Sequence, residues 1–181
     1  MSKASSPTRT HRWGEIRQRA LTFNSKVLVS ILQDLYELSA ENRRFLNTRF
    51  MGGEVELEEY RKRIRQAIYP DPLSSRPVRV PEAVRMIGQF YRATGDVSRT
   101  IGLLLYALEI GVEQANDLGM YEEYFSRLAT VGKTFLQIYA ELPAGEQDDV
   151  RHRFRRIVDR GRGIAYGFVD YLCDILIELE S

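Results

Sequence analysis

Apolar residues recur every three or four positions along most of this chain, which is the spacing of one face of an α-helix. A clear stripe lies between residues 26 and 38, where Val, Leu and Ile recur at helical intervals. Comparable stripes predict further helices over about 54–69, 81–94, 96–118, 121–142, 145–160 and 164–179, with shorter segments at 14–22 and after Ser39. In the segment after Ser39, the spacing places Phe45, Leu46 and Phe50 inward.

Residues typical of helix ends separate these stripes. Gly95 is expected to end one helix, and Asp96 directly after it is a good N-cap for the next. Pro81 fits the first turn of a helix, because its missing N–H has no intrahelical partner there. Pro143 is expected to stop the helix that precedes it. Helices of 12–20 residues joined by short turns are therefore predicted.

The predicted fold class is all-α. No segment of useful length alternates apolar and polar residues with a period of two, which is the pattern of a half-buried strand. Successive amphipathic helices with short turns favour antiparallel helix pairs. Such pairs form either a bundle or a short α-solenoid with a helical-repeat character, and the sequence leaves both architectures open.

One domain is predicted over residues 14–181, preceded by a basic N-terminal tail over residues 1–13. The clearest internal break is the proline- and serine-rich segment 70–79, which is predicted to be a loop. The N-terminus lacks the apolar core of a secretory signal.

Composition and charge exclude several classes of protein. The net charge of +1 gives no overall bias toward nucleic acid or an anionic membrane. No apolar run approaches the roughly 20 residues that a membrane span needs, so no membrane partner is predicted. A single cysteine, Cys173, excludes an internal disulfide, and we expect a cytoplasmic location. No catalytic or cofactor-binding motif is apparent, so no cofactor is predicted and an enzyme is disfavoured.

An acidic stripe is predicted along one helix. Glu109, Glu113 and Asp117 follow one another at intervals of four, so they share a side of the helix over 96–118. Like charges at this spacing repel each other mildly. A metal ion such as Mg²⁺ or Ca²⁺, or arginines from a neighbouring helix, would relieve that repulsion. A solvated helix face is the third interpretation.

Two clusters of arginine form the candidate partner-binding residues. One cluster lies on the helix over 145–160 and just beyond it, and the other on the helix over 54–69; together they comprise Arg151, Arg155, Arg156, Arg160, Arg162, Arg61, Arg63 and Arg65. Arginines that contact phosphates would give salt-dependent binding of nucleic acid. The alternative is a solvent-exposed helix surface on which nearby acidic residues balance the charge of the arginines.

Four stretches of the chain also resemble a known family. They are Gly95-Asp96 with Leu104 to Val112, Leu35 to Leu46, Asn116 to Gly119, and Gly163 to Asp170. Together they resemble domain-of-unknown-function family 6155, a family of uncharacterised helical bacterial proteins, over most of residues 26–178. The resemblance implies an all-helical fold and no established activity. Related proteins often have a His before the final Asp where this chain has Val169, which argues against a His–Asp catalytic pair.

The sequence favours a helical scaffold or interaction module that binds a protein partner or associates with itself. The first alternative is a nucleic-acid-associated accessory protein that uses the arginine-rich helix face. The second is a carboxylate-metal enzyme that uses the acidic stripe. A continuous basic face that joins both arginine clusters would favour nucleic acid, whereas acids interspersed among them would favour protein contacts.

Overall fold

A computed structural model of the protein consists of α-helices, as the helical periodicity of the sequence predicts. The structure describes residues 9–180, with side chains from residue 12 onward. Within that range it contains nine helices and no strand: α1 (Arg9–Ala20), α2 (Ser25–Leu38), α3 (Ala40–Met51), α4 (Glu54–Ile68), α5 (Val80–Thr94), α6 (Val97–Leu118), α7 (Glu122–Tyr139), α8 (Ala144–Gly161) and α9 (Phe168–Glu180). The all-α prediction is confirmed.

Local side-chain chemistry accounts for several helix ends. The Asp96 carboxylate accepts a hydrogen bond of 2.8 Å from the backbone N–H of Arg99 and so caps the start of α6. Asn24 caps α2 in the same way, accepting 3.0 Å from Val27 N–H. Gly95 ends α5 with φ +67°, a left-handed conformation that glycine adopts without steric cost.

Contacts along the chain divide it into two compact units, residues 1–46 and 47–181. The first unit, as far as the structure describes it, contains α1, α2 and the start of α3. The prediction of one domain over 14–181 stays a prediction, and the sequence gives no sign of this division. Of the predicted tail over 1–13, residues 1–8 lie outside the described range, and α1 begins at Arg9.

The core of the second unit is built around α6. Ile101, Leu104 and Leu108 on this helix are fully buried. The neighbours of α6 are α4, α5, α7 and α8. From α4 to α9, the helices that pack together are consecutive in the chain or have one helix between them. This pattern of neighbours is shared by bundles and short α-solenoids.

A glycine allows α7 to approach α6 closely. A Cβ atom added to Gly111 would lie 2.6 Å from both terminal methyl carbons of Leu128, which is itself completely buried. The hydroxyl of Tyr124 donates a hydrogen bond of 3.0 Å to the carbonyl of Gly111. Burial raises the pKa of Tyr124 well above its usual range, so this phenol stays protonated and remains a donor.

The connection between α8 and α9 differs from the predicted helix over 164–179. Residues 162–167 lie outside any helix, and α9 begins only at Phe168. Tyr166 and Gly167 both have positive φ values, 64° and 67°, which a helix cannot contain. The ring of Tyr166 stacks on that of Phe125, with centroids 5.8 Å apart. The strained backbone of Tyr166 thus occurs where its side chain packs against α7.

Residues 69–79 connect α4 to α5 without regular structure. Asp71 fixes a turn by accepting backbone hydrogen bonds from Leu73 and Ser74, through its side chain and its carbonyl respectively. At the end of the segment the N–H of Arg79 donates 2.7 Å to the carbonyl of Ala67 on α4.

Candidate functional site

The acidic stripe lies along one side of α6 and is engaged by three different side chains. Arg153 of α8 donates to both carboxylate oxygens of Glu109 at 2.7 Å. Arg65 of α4 donates to both oxygens of Glu113, at 2.6 and 3.2 Å. The carboxylate of Asp117 accepts 2.8 Å from the hydroxyl of Tyr69, just beyond α4.

These contacts relieve the repulsion within the stripe, and arginines from a neighbouring helix are one of the three interpretations that the sequence left open. The pair between Arg153 and Glu109 is partly buried and bidentate, a geometry that strengthens a charge-assisted hydrogen bond. The hydrogen bond to Glu113 raises the pKa of Arg65, and the hydrogen bond to Asp117 raises the pKa of Tyr69. Side chains of α6 thus connect α4 on one side with α8 on the other.

A groove of about 490 Å³ runs over the stripe. Its lining includes both signs of charge and comprises Arg65, Tyr106, Glu109, Ile110, Val112, Glu113, Asn116, Asp117 and Arg160. Asn116 on α6 donates a hydrogen bond of 3.0 Å to the carbonyl of Arg160, near the C-terminal end of α8. This bond connects α6 with α8 beside the groove.

The geometry gives no support to the carboxylate–metal hypothesis. Among the described residues, no group of three or more His, Cys, Asp or Glu side chains is arranged to hold a metal ion. Glu109 and Glu113 are each held by an arginine, and Asp117 by a phenol, so their oxygens face donors of the protein itself.

The two arginine clusters approach each other at this groove, where Arg65 and Arg160 line opposite sides of the acidic stripe. Within the clusters most side chains have an acidic neighbour. The ion pairs are Arg61 with Glu58, Arg65 with Glu113, Arg151 with Asp148, Arg155 with Glu180 and Arg162 with Asp159. Acids are therefore interspersed among the bases.

The remaining cluster members differ in their surroundings. Arg156 and Arg160 are exposed on α8, and Arg63 is half-buried on α4. Arg151 also donates to the hydroxyl of Tyr139 and to the carbonyl of Leu179, both at 3.3 Å, so it connects α8 with α7 and α9.

We expect Arg153→Ala to lower the free energy of unfolding by about 1–2 kcal/mol, because it leaves the partly buried Glu109 carboxylate without its partner. Urea denaturation measures this change. Arg162→Ala is the matched control, because its pair with Asp159 is mostly exposed and contributes little. Equal losses in both variants would contradict the importance of the bidentate pair.

A second candidate site, which sequence reasoning missed, is an apolar surface on the first unit. The N-terminal apolar surface is defined by eight large apolar side chains of α2 that are 37–75% exposed: Val27, Leu28, Val29, Ile31, Leu32, Leu35, Tyr36 and Leu38. This helix of 14 residues buries none of its side chains. Five further apolar side chains of the first unit are also exposed: Trp13, Ile16, Leu21, Phe23 and Phe45.

The inward orientation predicted for Phe45 and Phe50 is wrong. Both rings are exposed, Phe50 to 67%, whereas Leu46 is half-buried. The signal that could have revealed the surface is the width of the apolar face of α2. Apolar positions cover more than half of its circumference, from Val27 around to Val29, more than one neighbouring helix can cover.

No protein-family model, curated protein or solved structure matches the chain. The resemblance to domain-of-unknown-function family 6155 therefore stays a prediction. None of the described helices is both long and apolar enough to cross a membrane.

Proposed function

We propose that this protein is a helical scaffold that binds a protein partner through the N-terminal apolar surface. The observation that carries the proposal is α2, in which eight large apolar residues are exposed and no side chain is buried. Apolar surface left in water is unfavourable, and contiguous patches of it commonly mark interaction sites.

The stability of α2 supports the same conclusion. Isolated helices shorter than about 12–15 residues are marginal in water, so most of them depend on packing of an apolar face. The helix has no acidic residue in its first turn and no basic residue in its last turn, so charges do not compensate its macrodipole. A partner that covers the apolar face would supply the missing stabilisation.

The size of the surface fits a protein interface. A fully exposed large apolar side chain carries roughly 60–120 Å² of apolar area. The eight residues on α2, on average about half exposed, therefore leave about 200–450 Å² of apolar area. The largest apolar patch on a typical monomer is about 300–600 Å², so this single helix carries an apolar patch of comparable size.

The chemistry of the surface favours protein over nucleic acid. Nucleic acids are bound chiefly through phosphate contacts, for which free cationic side chains are needed. Most of the arginine clusters are instead occupied by acidic neighbours. The apolar side of α2 contains no charged residue, and charged residues are likewise depleted at the buried centre of a protein interface.

Site-specific photo-crosslinking tests the proposal. We expect a photoreactive phenylalanine analogue in place of Leu32, on the apolar side of α2, to form covalent adducts with protein in cells that produce the chain. The matched control carries the same analogue in place of Ser30, on the polar side of the same helix, and should give few adducts. Equal adduct yields at both positions, or no protein adduct at position 32, would contradict the proposal.

A further inference from the structure

We propose that α1 docks on the surface of an anionic lipid bilayer. The inference goes beyond the proposed function, because it uses α1 and the residues just after it and leaves the N-terminal apolar surface on α2 to a protein partner. None of the described helices can cross a membrane, but a helix that lies on a bilayer does not need to cross it.

Charge is distributed unevenly along the chain. Residues 1–24, the N-terminal basic segment, contain five basic side chains and one acidic side chain, which gives a net charge of +4. These side chains are Lys3, Arg9, Arg12, Arg17, Arg19 and Glu15. The other 157 residues contain 21 basic and 24 acidic side chains and carry a net charge of −3. The overall charge of +1 averages over this difference, and clusters of about four to eight Lys and Arg on an amphipathic helix are typical of proteins that bind anionic lipids.

The side chains of α1 are available to such a surface. All of them from Arg12 to Arg19 are exposed, and Trp13 is exposed to 64%. Within the described part of the chain, Arg12, Arg17 and Arg19 form no ion pair, unlike most arginines of the two clusters on α4 and α8. Their charges are therefore free to meet lipid phosphates and carboxylates.

The arginines border a strip of apolar side chains. Trp13 and Ile16 are three residues apart, so they share one side of α1. By the same helical spacing, Arg12 and Arg19 lie on one flank of this strip, and Arg17 lies on the other flank beside Trp13. Long basic side chains reach headgroups while their stems lie along apolar surface, and tryptophan favours the level of the headgroups. This is the arrangement of a helix that lies in the plane of a membrane interface.

The apolar residues favour lipid over nucleic acid. Leu21 and Phe23, directly after α1, are also exposed, so the apolar side chains continue beyond the helix. Bases of single-stranded nucleic acid stack on aromatic rings, and Ile16 and Leu21 offer no ring. The boundary between headgroups and acyl chains takes up aliphatic and aromatic side chains alike.

Vesicle co-sedimentation of the full chain tests the inference. We expect the chain to bind vesicles of phosphatidylcholine with about 30% phosphatidylserine and not vesicles of phosphatidylcholine alone, because the anionic headgroups supply the attraction. Trp13 is the only tryptophan of the chain, so its fluorescence reports on α1 alone. Its emission should shift to shorter wavelength on the anionic vesicles, as the indole leaves water. Raising the salt from about 0.1 M to about 0.5 M should weaken binding, since salt screens the charges.

Two charge-reversal variants locate the attraction. Arg17→Glu combined with Arg19→Glu should weaken binding by at least about 25-fold, because each basic side chain near an anionic surface strengthens binding roughly fivefold. Arg76→Glu combined with Lys133→Glu is the matched control, because it changes the net charge equally at two exposed residues of the second unit. It should bind nearly as well as the wild type.

A neutral substitution tests the apolar strip. Ile16→Ala should weaken vesicle binding by about fivefold to tenfold, because it removes apolar area that enters the bilayer. Alanine is the better helix former, so unfolding of α1 would not account for this loss. Leu73→Ala, at an almost completely exposed residue of the second unit, is the control and should bind as the wild type does.

No binding to anionic vesicles, equal binding to neutral ones, or equal losses in both charge-reversal variants would overturn the inference. Vesicle binding without a shift in the emission of Trp13 would do the same. If a single-stranded oligonucleotide binds through Arg17 and Arg19 while the vesicles do not, the N-terminal basic segment serves nucleic acid and the inference fails. Crosslinking at position 32 is read independently, so a failure of membrane docking and a failure of the proposed function are distinguishable.

Discussion

Leu104→Asp is expected to unfold the second unit of the protein. Leu104 is fully buried on α6, the helix against which α4, α5, α7 and α8 all pack. An aspartate there would place a charge among apolar side chains without a partner. Unpaired buried charges belong to the rare class of substitutions that cost more than about 4–5 kcal/mol, which is most of the stability of a small domain.

Leu118→Asp is the matched control, because it makes the same substitution on the same helix at a residue that is 47% exposed. It should leave the thermal unfolding temperature nearly unchanged, whereas Leu104→Asp should lose the cooperative transition in circular dichroism. A cooperative transition near the wild-type temperature in Leu104→Asp would show that α6 does not form the centre of the core.

Gly111→Val is expected to destabilise the protein by about 2–3 kcal/mol, although valine is the better helix former. The added Cβ would lie 2.6 Å from both terminal methyl carbons of Leu128. Leu128 is itself completely buried, and close-packed interiors leave its methyl groups little room to rotate away. The clash between α6 and α7 therefore outweighs the gain in helix propensity.

Gly102→Val on the same helix separates the two effects. Nothing lies within 4 Å of a Cβ atom added at Gly102, so only the propensity change remains, within about 0.5 kcal/mol of wild type. Urea denaturation of both variants gives the difference. If Gly111→Val were as stable as Gly102→Val, the close approach of α7 to α6 would not limit the size of residue 111.

Helix ends in the second unit could be predicted where they depend only on residues close together in the sequence. Asp96 caps α6 and Gly95 ends α5 as expected, since a cap depends on only a few consecutive residues. The start of α9 could not be predicted in this way. The apolar pattern continues through Ile164, but the positive φ values of Tyr166 and Gly167 accompany packing against Phe125, about 40 residues earlier in the chain.

The acidic stripe of α6 could be predicted from its spacing, but its partners could not. Arg65 precedes Glu113 by 48 residues and Arg153 follows Glu109 by 44, so only the packing of α4 and α8 brings them together. Sequence alone left a metal, arginines and solvent as alternatives for the stripe. The helix packing brings arginines of α4 and α8 to the stripe.

The N-terminal apolar surface was missed for a different reason. A stripe at intervals of three and four has the same spacing whether it faces the core of its own chain or a partner. The stripes of α2 and α6 are therefore alike in the sequence, yet α6 buries its apolar face and α2 does not. Periodicity identifies an amphipathic helix without identifying what covers it.

The segment between α4 and α5 gives this protein a place where chain can be added without disturbing its core. Leu73 is almost completely exposed, and the turn at Asp71 is fixed by hydrogen bonds within the segment itself. Lengthening a surface loop has a small entropic cost that grows only slowly with its length. An affinity tag inserted after the exposed Ser75, beyond that turn, would therefore provide an attachment point that leaves the sequence and spacing of α2 unchanged.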